Sequence, residues 1–221
     1  MPKHIPVVEN ILSANDQWAE QNRQALDAAG VYAINIIASP GAGKTSLIER
    51  TIVRLSDLMN VAVIEGDIAT SLDAERTEAA GAVSVQINTG GNCHLEAQMV
   101  RDAMAQLPLD EIDLLIVENV GNLVCPAGWK LGTHQTVLVA SVPEGDDKPL
   151  KYPGTYRGVD TLVINKIDLL PYIPFNMGRF RQGVEVLNPG LTTFPVSCTT
   201  GEGLDAWIQW LVQTVRAGPE R

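Results

Sequence analysis

Seven short runs of β-branched and other apolar residues recur along the chain, and stretches with helical spacing separate them. Several of these runs are apolar almost without interruption, which is typical of strands that are covered on both faces of a sheet. The alternation of the two patterns predicts an α/β fold, in which a mostly parallel β-sheet is flanked by helices on both faces. The predicted strands are residues 32–37, 61–65, 83–88, 114–118, 136–140, 161–165 and 193–197.

The stretches between these runs predict five helices, and a further helix precedes the first strand. Residues 7–29 place Val8, Ile11, Trp18, Ala25 and Leu26 at near-helical spacing. We interpret them as an amphipathic helix packed on the domain, with a partner-binding helix as the alternative. We therefore predict an N-terminal helical extension (1–29), one α/β domain (30–217) and a loose tail (218–221). The other predicted helices are residues 44–58, 71–80, 94–106, 176–187 and 203–216.

The composition narrows the classes of function. The 221 residues include 16 Lys and Arg against 26 Asp and Glu, a formal net charge of -10, and no basic run. This charge argues against a nucleic-acid partner, because binding phosphates requires clustered cations. No apolar stretch approaches the roughly 18 residues that span a bilayer, and the first residues lack the apolar core of a signal peptide. We expect a cytoplasmic protein with no membrane partner, whose three cysteines are thiols.

A candidate phosphate-binding loop follows the first predicted strand. Residues 38–45 are Ala-Ser-Pro-Gly-Ala-Gly-Lys-Thr, and Ala38 stands where the motif GxxxxGK[ST] has its first glycine. Backbone N–H groups and the following helix N-terminus can bind phosphates, Lys44 can reach the β- and γ-phosphates, and Thr45 can hold Mg²⁺. The strand–loop–helix context favours a P-loop over an ordinary glycine-rich turn. The expected nucleotide-binding residues are Gly41, Ala42, Gly43, Lys44, Thr45 and Ser46.

The end of the sixth strand, Asn165-Lys-Ile-Asp168, indicates which base is bound. A carboxylate in the base plane accepts from N1–H and the exocyclic amine of guanine, whereas adenine presents an acceptor at N1. Asp168 therefore predicts GTP, while Asn165 braces the loop or contacts the base and the Lys166 stem lies over it. A strand-ending turn is the alternative. Ser197 and Cys198 begin a segment that lies where related GTPases offer backbone N–H groups to the guanine oxygen. We interpret Cys198 as a small residue of a tight loop, with metal binding or catalysis as the alternative.

Two carboxylates are candidates for the Mg²⁺ site. Glu118 opens the segment Glu-Asn-Val-Gly121 at the end of the fourth strand, and Asp67 follows the second strand. The predicted catalytic set is Lys44, Asp67, Glu118 and Gly121, in which the Gly121 N–H meets the γ-phosphate. The alternative is that both acids only cap strand ends.

Cys93, His94 and Cys125 are candidate ligands of a second metal. Thiolate and imidazole bind borderline and soft divalent ions, and a nearby helix N-terminus is expected to favour the Cys93 thiolate. Neighbours on a helix diverge by about 100°, so Cys93 and His94 can share an ion only where their turn is not helical. One chain offers at most three ligands whereas Zn²⁺ takes four, which favours a site shared across a two-fold interface. Two buried cysteines with one surface histidine are the alternative.

Long strings in the chain resemble the HypB family, the nickel-insertion GTPases of hydrogenase maturation, which belong to the dimerising P-loop GTPases. The likeness covers nearly the whole chain and lies in residues 39–45, 88–97, 118–127, 144–153 and 165–172. It implies a P-loop GTPase fold, slow GTP hydrolysis and a GTP-dependent homodimer. It also implies Ni²⁺ or Zn²⁺ held at the interface by residues matching Cys93, His94 and Cys125. The implied partners are the nickel-accepting large subunit of a [NiFe]-hydrogenase and a companion maturation protein, and Lys151 is expected near the partner subunit's nucleotide.

Some features depart from the family pattern and leave alternatives. The N-terminus offers only His4 where some members carry a Cys-rich or His-rich metal motif, and Asn92 stands where a small residue is common. The urease nickel-insertion GTPase is a related alternative, but its Cys-Pro-His string is absent because Pro126 and Ala127 follow Cys125. A GTP-binding metal-buffering module with negligible turnover is a second alternative. A small-molecule kinase is a third alternative, but it leaves the Asn165–Asp168 motif without a function.

Overall fold

The computed structural model describes residues 7–67 and 72–218, which form one seven-stranded sheet with helices on both faces. Each strand predicted from the sequence is confirmed, with ends that differ by at most two residues. The strands are β1 (Tyr32–Ala38), β2 (Val61–Asp67), β3 (Val83–Asn88), β4 (Leu114–Glu118), β5 (Gln135–Ser141), β6 (Thr161–Asn165) and β7 (Thr192–Pro195). All pairings between them are parallel, in the order β3-β2-β4-β1-β5-β6-β7.

The helices follow the predicted pattern with two differences. The helix predicted at 94–106 begins only at Ala97, so Cys93 and His94 lie in a turn before it. Two short helices between β5 and β6 are absent from the prediction, because four or five residues are too few to show a helical period. The helices are α1 (Val7–Ala29), α2 (Lys44–Leu55), α3 (Leu72–Ala79), α4 (Ala97–Met104), α5 (Lys148–Lys151), α6 (Pro153–Arg157), α7 (Met177–Leu187) and α8 (Leu204–Ala217).

The apolar core lies in two layers, one on each side of the sheet. On one side α2 and α8 cover the central strands, with Leu47 and Trp207 fully buried. The indole N–H of Trp207 donates to the hydroxyl of Thr51 at 2.9 Å, so this large side chain is buried with its polar atom paired. On the other side α1 and α4 cover one half of the sheet, and α6 and α7 cover the other half.

The topology brings the candidate residues to one edge. Because all seven strands are parallel, the loops after β1, β2, β4 and β6 leave from the same carboxyl edge of the sheet. The chain runs to one side of β1 for β2–β4 and to the other side for β5–β7, and ligands of open α/β sheets bind at such a switch point. The phosphate loop, Asp67, Glu118 and the segment from Asn165 to Asp168 therefore meet at this edge.

Helix α1 packs on the domain as predicted, but its buried stripe differs from the predicted apolar one. The stripe follows helical spacing and includes two polar residues that a count of apolar positions passes over. Of the predicted stripe, Leu26 is buried while Trp18 and Ala25 are half-buried. The predicted positions whose side chains lie outside the described part are Val8 and Ile11. The observed stripe is Asn15, Ala19, Asn22 and Leu26.

In the described residues no helix is sufficiently long and apolar to cross a membrane.

Candidate functional site

The phosphate loop is shaped by glycines that no other residue could replace without strain. Gly41 and Gly43 have φ angles of +76° and +98°, in the left-handed region that favours glycine. At Gly43 a Cβ atom would also collide with Nδ2 of Asn165. Helix α2 begins directly after this turn, at Lys44, so its unpaired N–H groups face the loop.

Ala38 fills the place of the first glycine of the motif without disturbing the loop. It is the last residue of β1, fully buried, and pairs with Val139 of β5. It also forms an antiparallel bridge with Asn122. Its φ is not positive, so this position needs no glycine.

Asn165 ties the base-side loops to the phosphate loop, as the predicted brace should. Its Nδ2 donates to the Ala42 carbonyl at 3.0 Å. Its Oδ1 accepts from the N–H groups of Lys166 at 2.7 Å and Cys198 at 3.3 Å. Lys166 itself has a φ of +63°, and its Nζ donates to the Gly41 carbonyl at 2.6 Å. Three separate loops are therefore fixed relative to each other before any ligand binds.

Asp168 carries a buried acceptor that the described residues leave without a partner. It lies in the short turn Ile167–Leu169, and its Oδ1 makes no hydrogen bond. A buried carboxylate oxygen without a partner is costly, so this atom is suited to a ligand that donates.

The segment after β7 is tightly turned. The Ser197 hydroxyl accepts from the Thr200 N–H at 3.1 Å. Cys198 is buried, which raises the pKa of its thiol to about 11, and its carbonyl accepts from Nε of Arg50 at 2.9 Å. These are the contacts of a small packed residue rather than of a reactive thiol.

The end of β4 lies against the phosphate loop. The hydroxyl of Thr45 donates to Oε1 of Glu118 at 2.9 Å, and Nζ of Lys44 lies 3.8 Å from the same oxygen. At Gly121 a Cβ atom would lie 3.5 Å from Pro40 and 3.7 Å from Nζ of Lys44. The structure therefore brings together three of the four residues predicted as catalytic, and the Thr45–Glu118 oxygen pair suits a hard cation such as Mg²⁺.

The remaining predicted residues lie around this centre. Asp67 is the half-buried last residue of β2, and its carbonyl accepts from the Thr89 N–H at 3.0 Å. Ser46 is half-buried in the first turn of α2. Nζ of Lys151, on α5, lies 2.6 Å from Oδ2 of Asp147. Their hydrogen bond lowers the pKa of Asp147 and raises the pKa of Lys151, so both are charged at neutral pH.

Cys93, His94 and Cys125 come together in pairs. Sγ of Cys93 lies 3.7 Å from Nδ1 of His94, and the neighbouring Cys125 thiol raises the pKa of Cys93. The His94 ring stacks against Trp129, with centroids 4.4 Å apart. In the described residues no three His, Cys, Asp or Glu side chains converge as a ready metal cage. One chain therefore presents neighbouring candidate ligands but no complete site.

The expected pKa shift of Cys93 is wrong in direction. Interaction with the Cys125 thiol and burial raise the pKa of the Cys93 thiol, because both favour its neutral form. The expected helix dipole has little influence, since α4 begins four residues beyond Cys93 and the effect falls off within one turn. Burial lowers the pKa of His94, which favours the neutral imidazole that binds metals.

Comparison with known proteins identifies the family. Residues 32–195 match the family described as CobW/HypB/UreG, nucleotide-binding domain. The hydrogenase maturation factor HypB of Rhizobium leguminosarum bv. viciae is 49% identical over 207 residues, which cover 94% of this chain and 69% of that protein. The chain belongs to the HypB family.

Solved HypB structures share the fold over almost their whole length. HypB from Helicobacter pylori in complex with nickel has a TM-score of 0.88 and 36% identity, over 92% of this chain and 96% of that one. HypB from Archaeoglobus fulgidus has a TM-score of 0.86 and 36% identity, over 92% and 100% of the two chains. The predicted P-loop GTPase fold is confirmed, and the chain is a nucleotide-binding protein of this class.

Asn122 is a residue of this HypB-family chain that the sequence analysis passed over. Its backbone bridges to Ala38 at the end of β1. Its Oδ1 accepts from the N–H groups of Val124 at 2.8 Å and Cys125 at 3.3 Å. The available signal was its position between Gly121 and Cys125, but an asparagine in a loop suggests many roles.

Proposed function

We propose that this HypB-family chain is a GTP-hydrolysing metallochaperone, in which nucleotide-dependent dimerisation is coupled to Ni²⁺ binding and to nickel delivery during [NiFe]-hydrogenase maturation. The observation that carries the proposal is Asn122, which joins the strand before the phosphate loop to Cys125. The Cys125 thiol in turn raises the pKa of Cys93. Two findings on relatives support it: the similar Rhizobium protein is named a hydrogenase maturation factor, and the similar Helicobacter structure contains nickel.

The phosphate side supplies the chemistry of GTP hydrolysis. Lys44 and the N–H groups of the loop neutralise the β- and γ-phosphates, and Asp168 selects guanine. The Thr45 hydroxyl and the Glu118 carboxylate, 2.9 Å apart, fit Mg²⁺, with Asp67 as the further carboxylate. Bound Mg²⁺ supplies positive charge to the transferred phosphoryl group.

The coupling passes along a short stretch of backbone. Gly121 lies against Lys44 and Pro40, where its N–H can meet a γ-phosphate. The next residue, Asn122, holds the N–H of Cys125 through its side chain. A triphosphate that repositions Gly121 therefore repositions Cys125, which is a loop-ordering switch of the kind that GTPases use.

Dimerisation completes the metal site. Cys93, His94 and Cys125 of one chain make pairwise contacts without forming a cage, and a two-fold interface doubles their number. We expect the charged Lys151, exposed on α5, to approach the partner subunit's nucleotide. Ni²⁺ is the proposed cargo, and Zn²⁺ suits the same thiolate and imidazole ligands. The proposed acceptors are the hydrogenase large subunit and a companion maturation protein.

The decisive experiment is a Ni²⁺ titration of the full chain with and without a non-hydrolysable GTP analogue. Native mass and the thiolate-to-nickel absorption band are followed together. The analogue should convert monomer to dimer and raise the nickel affinity, while Lys44→Ala should remove the effect of the analogue. Mass and metal binding that ignore the analogue would contradict the coupling.

One further measurement separates this function from a metal-buffering module. Single-turnover hydrolysis of GTP should require Mg²⁺ and proceed to completion, whereas a buffering module would show negligible turnover. Val124→Ala is the matched control for Cys125→Ala, because Val124 is an exposed neighbour in the same loop. It should leave metal binding and hydrolysis unchanged.

A further inference from the structure

The buried face of α1 carries two asparagines where an amphipathic helix normally places apolar side chains. Asn15 is 6% exposed and Asn22 is fully buried. They stand seven residues apart, which is two helical turns, so both side chains leave α1 on the same side. Asparagine is seldom buried completely, and a buried amide needs hydrogen-bond partners.

Asn15 joins the start of α4 to the segment that follows Trp129. Its Oδ1 accepts from the N–H of Ala97 at 2.8 Å, and its Nδ2 donates to the Lys130 carbonyl at 2.8 Å. Ala97 is the first residue of α4, and the N-cap residue Glu96 makes no side-chain cap of its own. Asn15 therefore caps α4 from a different helix and at the same time holds the second segment.

Asn22 repeats this connection one residue further along the second segment. Its Nδ2 donates to the carbonyls of Ala97 at 2.8 Å and Leu131 at 2.9 Å. Its Oδ1 is buried without a hydrogen-bond partner in the described part of the chain. An unpaired buried acceptor costs stability that an apolar side chain would avoid. We therefore explain the presence of Asn22 by its role in holding the two segments in position, and not by its contribution to stability alone.

Two more contacts fix the second segment to α1. Arg23 donates through Nε to the Gly132 carbonyl at 2.9 Å, and through Nη2 to the Thr133 carbonyl. Gly132 has a φ of +90°, and a Cβ atom there would collide with the Ala19 carbonyl oxygen. Backbone and helix are therefore in direct contact at this point.

The two segments are those that carry the candidate metal ligands. Ala97 follows His94 by three residues, and Lys130 follows Cys125 by five. Between them the His94 ring stacks on Trp129. Neither segment pairs with the other as a strand, so side chains of α1 supply the bonds that bridge them beside the cysteines.

We propose that α1 is a bracket for the metal site, in which Asn15 and Asn22 are positioning residues that set the distance between the Cys93–His94 turn and the Cys125 loop. This inference rests on the proposed function, since it names what holds the proposed nickel ligands. Mutation of groups that orient metal ligands without binding the metal themselves typically lowers metal affinity about 10- to 100-fold.

Asn15→Asp is the sharpest test, because it divides the two bonds of this residue. The carboxylate still accepts from the Ala97 N–H, and its charge suits the N-terminus of α4. It cannot donate to the Lys130 carbonyl, so the cap stays and the bridge is lost. We expect about ten-fold weaker Ni²⁺ binding with the GTP analogue bound, an altered thiolate-to-nickel band and an unchanged GTP affinity. Asn22→Leu, which keeps the branched shape of the side chain and removes both donors, should act in the same direction.

Two control variants separate positioning from stability. Gln21→Leu removes an exposed amide from the same helix and should change nothing. Leu26→Ala removes a buried apolar side chain of α1, so it lowers the melting temperature and leaves both asparagines in place. Below its melting temperature it should keep the wild-type nickel band. A wild-type affinity and band in Asn15→Asp would overturn the bracket, as would an equal loss in Leu26→Ala.

Cys125→Ala, measured in the same series, distinguishes a failure of the bracket proposal from a failure of the proposed metal ligands. If it weakens nickel binding while Asn15→Asp does not, the bracket is wrong and the ligand assignment stands. If Cys125→Ala binds nickel as the wild type does, the proposed ligands are wrong, and the bracket is refuted with them.

Discussion

The nucleotide edge and the cysteine cluster lie four residues apart in the chain, at Gly121 and Cys125, yet they are built in different ways. At the nucleotide edge each loop leaves the end of a parallel strand, and Asn165 bonds the loops after β1, β6 and β7 to one another. The cysteine cluster lies between two segments that do not pair as strands. Its connections are side chains, with Asn122 on one side and the asparagines of α1 on the other.

This difference suggests different roles for the two sites in binding nucleotide and metal. The loops that Asn165 joins are fixed before a ligand binds, so they can bind phosphate and base with little rearrangement, and Gly121 is the part of this edge that we propose a triphosphate moves. The metal affinity of a site whose halves lie on separate segments depends on the distance between those segments, so a small displacement changes that affinity. We therefore expect the proposed nickel site to respond to the nucleotide, because its two halves lie on separate segments.

The largest expected effect is a loss of GTP affinity at the nucleotide edge. Lys44→Ala should lower GTP affinity by about a thousand-fold, since two charge-assisted phosphate contacts contribute roughly 2 kcal/mol each. The fold should persist, because the Lys44 ammonium contacts only Glu118 among the described ion pairs, at 3.8 Å. Titration with a fluorescent GTP analogue and circular dichroism test the two claims. Lys130→Ala removes an exposed lysine elsewhere and should bind normally; retained affinity in Lys44→Ala would refute the phosphate-loop assignment.

The next effect concerns the base. Asp168→Asn replaces one acceptor with a donor, which then faces the 2-carbonyl of xanthine rather than the amine of guanine. The ratio of GTP to xanthosine triphosphate affinity should fall about 100-fold, which corresponds to roughly 3 kcal/mol. Competition binding measures the ratio, with Asp57→Asn as a charge-matched control on an exposed turn. A ratio unchanged by Asp168→Asn would mean that another group reads the base.

The nucleotide edge could be predicted from the sequence because its residues are local signals on strand ends. Lys44, Glu118 and Asp168 each follow an apolar run, and parallel strands bring those ends to one edge. The departure at Ala38 is also understandable, since that residue still belongs to β1. The identity of the base reader and the place of the Mg²⁺ carboxylates remain predictions for experiment.

The cysteine cluster could be predicted only in part. Its members are visible in the sequence, but the pKa of Cys93 depends on Cys125, which lies on a distant segment. Asn15 and Asn22 were passed over because a polar residue in an amphipathic pattern suggests the solvent face. Their burial follows from tertiary contacts with backbone carbonyls, for which a single sequence carries no local signal.

The third prediction concerns a variant that should weaken the cysteine cluster and leave the nucleotide edge intact. Cys125→Ala should weaken Ni²⁺ binding by at least about ten-fold, because losing a ligand costs no less than losing an outer contact. GTP binding to the monomer should stay near normal, since Asn122 and its bridge to Ala38 remain. Equilibrium dialysis with nickel and calorimetry with GTP give the two numbers. Undiminished nickel stoichiometry would place the ligands elsewhere.

The smallest expected effect is a pH dependence of stability on the α1 side of the molecule. Nδ1 of His134 accepts from the Ala33 N–H at 2.9 Å, and Nε2 lies 2.9 Å from Oδ1 of Asp27, near the end of α1. Its ring stacks on Tyr32 with centroids 4.6 Å apart. Burial lowers the pKa of His134 below its ordinary 6.5, with a smaller contribution from the charge of Arg23, while Asp27 opposes the shift.

Because the folded state binds this proton less readily than the unfolded state, His134 contributes stability above pH 6.5, and that contribution is lost as the pH falls through the lowered pKa. Protonation also puts a hydrogen on Nδ1, where the Ala33 N–H needs an acceptor. The melting temperature should therefore fall between pH 7.5 and 5. His94 acts with the same sign, so the control must isolate His134. His134→Asn keeps an acceptor near Nδ1 without titrating, and its melting temperature should fall less steeply over the same range. Equal slopes in the two proteins would show that His134 does not set the acid sensitivity of the contact between α1 and β1.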